Sequence, residues 1–134
     1  RRDVEVLFQA PANARFCLAD ALRLPFPRES FSTVVALNLI DRVADPVRAL
    51  EELARVIAPG GVLVVGSPYT WLEGFTPRAR WLGGKEARGP DVVRARLGAR
   101  FTLEREAQLP FFIAHHARSG QLGAAHVQRF RRNA

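Results

Sequence analysis

The run from Phe31 to Val65 constrains the fold most. Phe31 to Leu37 (Phe-Ser-Thr-Val-Val-Ala-Leu) is β-branched and nearly all apolar, the pattern of a strand covered on both faces. Asp45-Pro46 then sets an N-cap residue before a proline whose φ is already helical. Val47, Leu50, Leu53, Ala54 and Ile57 follow at helical spacing and form one apolar stripe. Arg48 with Glu52, and Glu51 with Arg55, are i,i+4 pairs on the opposite side. Pro59-Gly60-Gly61 reads as the end of that helix, and Val62 to Val65 as a second buried strand closing at Gly66-Ser67-Pro68. Strand, helix and strand with tight joints form a βαβ unit, which requires a parallel sheet.

The flanking segments extend this unit. Val4 to Gln9 is compatible with a strand, and Arg15 to Ala19 reads as a short strand ending at Asp20. Leu24-Pro25-Phe26-Pro27 is a loop, because two prolines remove donors and fix φ. Tyr69 to Gly89 is irregular and rich in aromatics and glycine, as a lid-like insertion would be. Pro90 to Leu97 reads as a short helix with Val93 and Leu97 on one side. Arg100 to Gln108 and Phe111 to Arg118 are strand-like and split by Pro110. Ser119-Gly120 is a turn, after which Leu122 to Arg132 pairs back as a hairpin. The expected fold class is α/β: one domain over residues 1–134, with parallel strands and a C-terminal antiparallel hairpin.

Composition removes several function classes. No apolar run approaches the roughly 20 residues of a membrane helix, and residues 1–5 lack the order of a signal peptide. The single cysteine, Cys17, excludes an internal disulfide and a Cys-based zinc site; it reads as a small core residue in a reducing, cytoplasmic setting, and no metal is expected. Gly60-Gly61 follows no strand and precedes no Lys with Ser or Thr, so it is not a phosphate loop. No Gly-x-Ser-x-Gly elbow is present. The net charge of +7 belongs to the second half: residues 1–67 carry eight Arg and eight acids, and residues 68–134 carry twelve Arg and Lys against five acids. The excess is scattered there, so a nucleic-acid partner ranks last; a small-molecule substrate is expected, with no nucleic-acid or membrane partner.

Ligands of open α/β sheets bind outside the carboxyl ends of the strands. Asp20-Ala21, Asn38-Leu39 and Ser67-Pro68-Tyr69 are three such ends, expected to converge on one edge. Asp20 can accept a hydrogen bond from an exocyclic amine or simply cap a strand exit. Asn38 has the same two readings, ligand contact or turn cap. Asp41 and Arg42 precede the helix, either as site residues or as a solvated connector. Tyr69 and Trp71 follow a strand end, where aromatics stack on planar ligands or pack as a lid. His115 and His116 fall on opposite faces of a strand, so they cannot share a metal; one of them, His115, is a candidate acid or base.

The ordered combination of an acid at a strand end, Leu24-Pro25-Phe26, Phe31 to Asn38, a helix, and Arg55-Val56-Ile57-Ala58-Pro59-Gly60-Gly61-Val62-Leu63-Val64-Val65 resembles the second half of class I S-adenosylmethionine-dependent methyltransferases. The resemblance implies a partial Rossmann-like sheet and S-adenosylmethionine as cofactor. It also implies that Asp20 and the backbone of Ala21 hold adenine, and that Asn38 and Leu39 line the methyl-transfer pocket. Asn38 to Val43, Ser67 to Glu73, Phe75 to Arg78 and above all Trp81-Leu82-Gly83-Gly84 are similar to the mercaptohistidine N-methyltransferases of ovothiol biosynthesis. On that narrower likeness the catalytic candidates are Asp41, Tyr69 and His115, and the substrate-binding candidates are Arg42, Trp71, Arg78 and Trp81. Such enzymes open with a glycine loop, whereas here no glycine precedes Gly60 and no Met is present. The chain therefore reads as the C-terminal part of such a fold, either catalytic or a non-catalytic, methyltransferase-like module.

Overall fold

The computed structural model describes residues 11–84, 88–116 and 118–134. The possible strand at Val4 to Gln9, and residues 85–87 of the lid-like segment, lie outside them. The elements run β1 (Phe31–Leu37), a 3-10 turn (Ile40–Arg42), α1 (Pro46–Val56), β2 (Ile57–Ser67), a second 3-10 turn (Arg78–Arg80), α2 (Gly89–Leu97), β3 (Phe101–His116) and β4 (Ser119–Arg132). They build a four-stranded sheet in the order β1-β2-β4-β3. β1 and β2 are parallel, and β4 runs antiparallel to both β2 and β3.

The local signals act as their chemistry requires. The Asp45 carboxylate accepts from the Arg48 N–H at 3.0 Å, with Pro46 opening the helix. Leu50, Leu53 and Ala54 of α1, with Val93 and Leu97 of α2, pack on Leu63, Val65, Phe101 and Phe130 of the sheet. Each such side chain contributes about 1.5–3 kcal/mol on burial. Both helices cover the same face; on the other, Val35 and Leu37 of β1 stay exposed.

Several boundaries differ from the sequence expectation. The helix ends at Val56, and Pro59-Gly60-Gly61 lies inside β2. Phe31 pairs with Ile57 but Thr33 with Val62, so the extra residues bulge outward, with Gly60 at φ +72°. Pro110 does not split the hairpin: β3 runs through it, which an edge strand allows because proline is tolerated there. Ser119-Gly120 belongs to β4 rather than to the turn. Arg15 to Ala19 is not a strand; among the described residues the ladder contact beside it is an isolated Asp20–Arg23 bridge. Phe16 and Leu18 are exposed there. Cys17 is accordingly exposed, not buried in the core.

An arginine–glutamate latch fixes the loop after Asp20. Glu52 is buried on α1 and accepts from Arg55 Nη2 at 2.8 Å, Arg48 Nη2 at 3.2 Å and the Leu24 N–H at 3.0 Å. Arg55 then donates to the carbonyls of Leu24 and Phe26, and Arg48 to that of Leu22. Arg55 thus turns to Glu52 instead of the expected Glu51. Its guanidinium, foremost among several donors, holds the Glu52 carboxyl below the usual range.

Candidate functional site

The carboxyl ends of β1 and β2 meet as parallel neighbours must. Leu37 pairs with Gly66, so Asn38 and Ser67 leave the sheet side by side. The Asn38 N–H donates to the Gly66 carbonyl at 2.7 Å, and the Tyr69 N–H donates to Ser67 Oγ at 3.0 Å. Asn38 (φ +53°) and Tyr69 (φ +54°) are both left-handed. Asparagine tolerates that conformation; for a bulky tyrosine it costs about 1–3 kcal/mol, a strain characteristic of functional sites.

Arg42 ties the two strand-end loops together. Its Nη1 lies 2.8 Å from the Asp41 carbonyl, from Asp41 Oδ2 and from the Thr70 carbonyl, and Nη2 donates to Thr70 Oγ1 at 3.2 Å. Asp41 is 0% exposed, and its second oxygen, Oδ1, has no hydrogen-bond partner. A cleft of about 460 Å³ opens here. Asn38, Asp41, Arg42, Pro68 and Thr70 form one side, and residues of the distal β3–β4 hairpin, among them Phe111, Ile113 and Gly123, form the other.

The remaining predicted residues lie elsewhere. The Tyr69 ring is half-buried against α2; a Cβ on Gly89 would stand 2.2 Å from Tyr69 Cδ1, so only glycine fits beneath it. Burial first, then the charges of Asp41 and Asp91, pushes the Tyr69 phenol well above its usual range. It is a proton donor at neutral pH, not a base. Trp71 and Trp81 stack with centroids 6.3 Å apart and planes 14° apart, and the Arg78 guanidinium lies 5.6 Å over Trp81. Trp81 Nε1 donates to the Thr76 carbonyl at 2.9 Å, and buried Thr76 donates to the Val43 carbonyl at 2.6 Å. This aromatic layer is pinned beside the strand ends but does not line the cleft.

Leu39 packs toward the core. Asp20 is exposed, and its Oδ1 caps its own turn by accepting from the Leu22 N–H at 2.8 Å. Asp20 and Ala21 are absent from the cleft lining, so two of the three strand ends converge on it. His115 is exposed on the hairpin and also outside the lining. Sequence reasoning missed the hairpin wall; Thr70 fell within the Tyr69-Thr70-Trp71 run singled out after the strand end but was given no role of its own. The signal for the wall was Phe111 facing Gly123 once the hairpin is paired. Among the described residues, no group of three His, Cys, Asp or Glu is placed to hold a metal ion, and no helix is long and apolar enough to cross a membrane.

Comparison with known proteins agrees with this architecture. Residues 3–65 match a family described as a methyltransferase domain. A demethylmenaquinone methyltransferase of Thermus thermophilus is 53% identical over 51 residues, 38% of this chain and 23% of that protein. A probable tRNA methyltransferase 9B of Homo sapiens is 34% identical over 71 residues, 51% of this chain and 14% of that protein. The chain thus matches under a quarter of the length of either relative. A methyltransferase structure from Methanosarcina mazei superposes with a TM-score of 0.64 at 19% identity, covering 93% of this chain and 70% of that one. The N-methyltransferase NodS of Bradyrhizobium japonicum, solved with S-adenosyl-L-homocysteine, gives 0.55 at 22% identity, covering 87% and 53%. The fold is that of the class I S-adenosylmethionine-dependent methyltransferases, with its mixed parallel and antiparallel sheet.

Proposed function

We propose that this chain serves S-adenosylmethionine-dependent methylation of a small molecule, at a ring nitrogen of a mercaptohistidine imidazole as in ovothiol biosynthesis. The observation that carries the reading is the strand-end cleft, with a buried, unpartnered Asp41 oxygen beside the Arg42 guanidinium. The residue pattern of Trp81-Leu82-Gly83-Gly84 supports the acceptor. The strand ends fit the cofactor in part: Asp20 Oδ2 has no partner among the described residues and stands in solvent beside Ala21, available to an exocyclic amine. Asn38 and the Leu39 backbone border the methyl-transfer end.

When bound, S-adenosylmethionine supplies an electrophilic methyl group whose bonding pair leaves with sulfur. The protein then supplies orientation and exclusion of water. Forming the N–C bond releases one ring proton, for which Asp41, buried beside Arg42 at the end of β1, is the candidate acceptor. Tyr69, held beneath α2, and His115, exposed on the hairpin outside the cleft lining, are given no step at the acceptor. Arg42 keeps Nε and part of Nη2 for a substrate carboxylate, while Arg78, Trp71 and Trp81 form the lid layer outside the cleft. We assign the reaction to the cytoplasm on the single-cysteine composition alone.

Titration calorimetry with S-adenosylmethionine, followed by mass spectrometry of mercaptohistidine, histidine and bulk tRNA incubated with it, tests the reading. Heat of binding and a singly methylated mercaptohistidine are expected. Methyl transfer to tRNA alone would replace the acceptor. Absence of both heat and product would overturn the reading and leave a non-catalytic, methyltransferase-like module in its place.

A further inference from the structure

We propose that the distal β3–β4 hairpin docks the protein on the surface of a lipid bilayer that carries anionic headgroups. The inference goes beyond the methyl-transfer reading and does not rest on it. β2 pairs with β4 only over His126 to Arg131, whereas β3 and β4 stay paired out to His116 and Ser119. The hairpin therefore leaves the sheet as a two-stranded arm.

Successive residues of a strand point to opposite faces, so the ladder register sorts the side chains of the arm. Pro110 pairs with Ala124, Phe112 with Leu122 and Ala114 with Gly120. These six residues share one face, none has a polar side chain, and all are exposed. Phe112 is 65% exposed and Leu122 77%. Leu122 and Ala124 also border the cleft, whereas Phe112 does not. A contiguous apolar face left open on a projecting element marks an interaction site.

Size and charge choose its occupant. A stable protein interface takes roughly 20–30 residues from each side. Phe112 and Leu122 are the only large side chains of this face, and Leu109 and Ile113 on the other add little. That is too small a surface for a second copy of the chain or for a folded partner. A bilayer surface needs no matching shape, and a few large apolar side chains can sink among its headgroups. The charge around them is of one sign: no Asp or Glu follows Glu106 in the sequence, and the formal net charge is +7. Arg118, at the tip, is exposed and has no acidic partner among the described residues. It is therefore free to meet an anionic headgroup. β3 is an edge strand, and β4 loses β2 beyond His126, so both sides of the arm carry open backbone groups. Such an arm rests at headgroup depth and does not cross.

Flotation of the full chain with vesicles tests this, using phosphatidylcholine alone and phosphatidylcholine with one third phosphatidylglycerol. At ~0.1 M salt the mixed vesicles are expected to hold the protein at least tenfold more strongly, and ~0.5 M salt to weaken that binding at least threefold. Phe112→Ser combined with Leu122→Ser should lower binding at least fivefold, while Val35→Ser, an apolar loss on the bare face of the sheet, changes it less than twofold. Arg118→Glu leaves the apolar face intact and should lower binding to the mixed vesicles at least threefold, so the test stands even if the double variant fails to fold. A thermal midpoint near that of the wild type identifies a folded variant. Failure of the protein to float, or equal flotation of wild type, double variant and Arg118→Glu, would overturn the proposal. So would a concentration-dependent dimer in sedimentation that the double variant dissolves, since a second copy would then cover the face. The methyl-transfer reading is judged by its own calorimetry and product assay, so either can fail alone.

Discussion

At the scale of single residues, position and protonation divide the candidates. Asn38 and Asp41 reach the cleft because a parallel strand must end there, and that much was legible in the apolar run before them. Tyr69 occupies the strand end too, but it sits beneath α2 in a strained left-handed conformation, with its hydroxyl desolvated. The chain has one tyrosine, so its ionisation has a clean optical signature. Absorbance at 295 nm is expected to stay flat through the ordinary tyrosine range near pH ~10 and to rise only at higher pH or on unfolding. Titration near the ordinary value in the folded protein would refute the buried placement and reopen Tyr69 as a base.

At the scale of elements, what is set by neighbours in sequence was readable and what is set by distant pairing was not. The cap and first turn of α1 follow from Asp45-Pro46 alone. Replacing Asp45 with alanine removes the acceptor for the Arg48 N–H and the ion pair with Arg80. Loss of about 1–2 kcal/mol in urea unfolding is expected, and a change under 0.3 kcal/mol would show that the cap is not used. The extent of β3 and β4 was not readable in this way. Pro110 signals a break unless β3 is known to be the edge strand, and that order is fixed by β4 inserting between β2 and β3. Arg15 to Ala19 went the opposite way: residues that alternate like a strand carry no strand among the described residues. The cleft shares this limit: its Asn38–Arg42 side is local, while its Phe111–Gly123 side depends on a pairing that alternation cannot register.

At the scale of the molecule, the carboxylates with displaced protonation are the ones that join distant parts of the chain. Glu52 binds α1 to the loop at Leu24 and Phe26 through Arg55. Glu106 of β3 pairs with Arg94 of α2 at 2.6 Å, and with His126 and Gln128 of β4 at 3.2 and 3.3 Å. Arg94 foremost, then His126 and Gln128, holds the Glu106 carboxyl down to about 2, and Glu52 is lowered by its arginine. A carboxyl whose pKa is lower folded than unfolded contributes its full stability above the unfolded value, about 4.3, and loses it as pH falls through the folded one. Stability from these two groups is therefore constant between pH 7 and about 5.5 and declines from about pH 4.5 toward 2. Glu106→Gln removes the Glu106 share, so its thermal midpoint should start lower at pH 7 and fall less steeply over that window. Glu52→Gln should act alike, and the two effects should add, because the latches hold different elements and share no partner. Parallel acid limbs for wild type and Glu106→Gln would show that α2 docks on the sheet without help from that carboxylate, leaving the apolar contacts of Val93 and Leu97 to hold it.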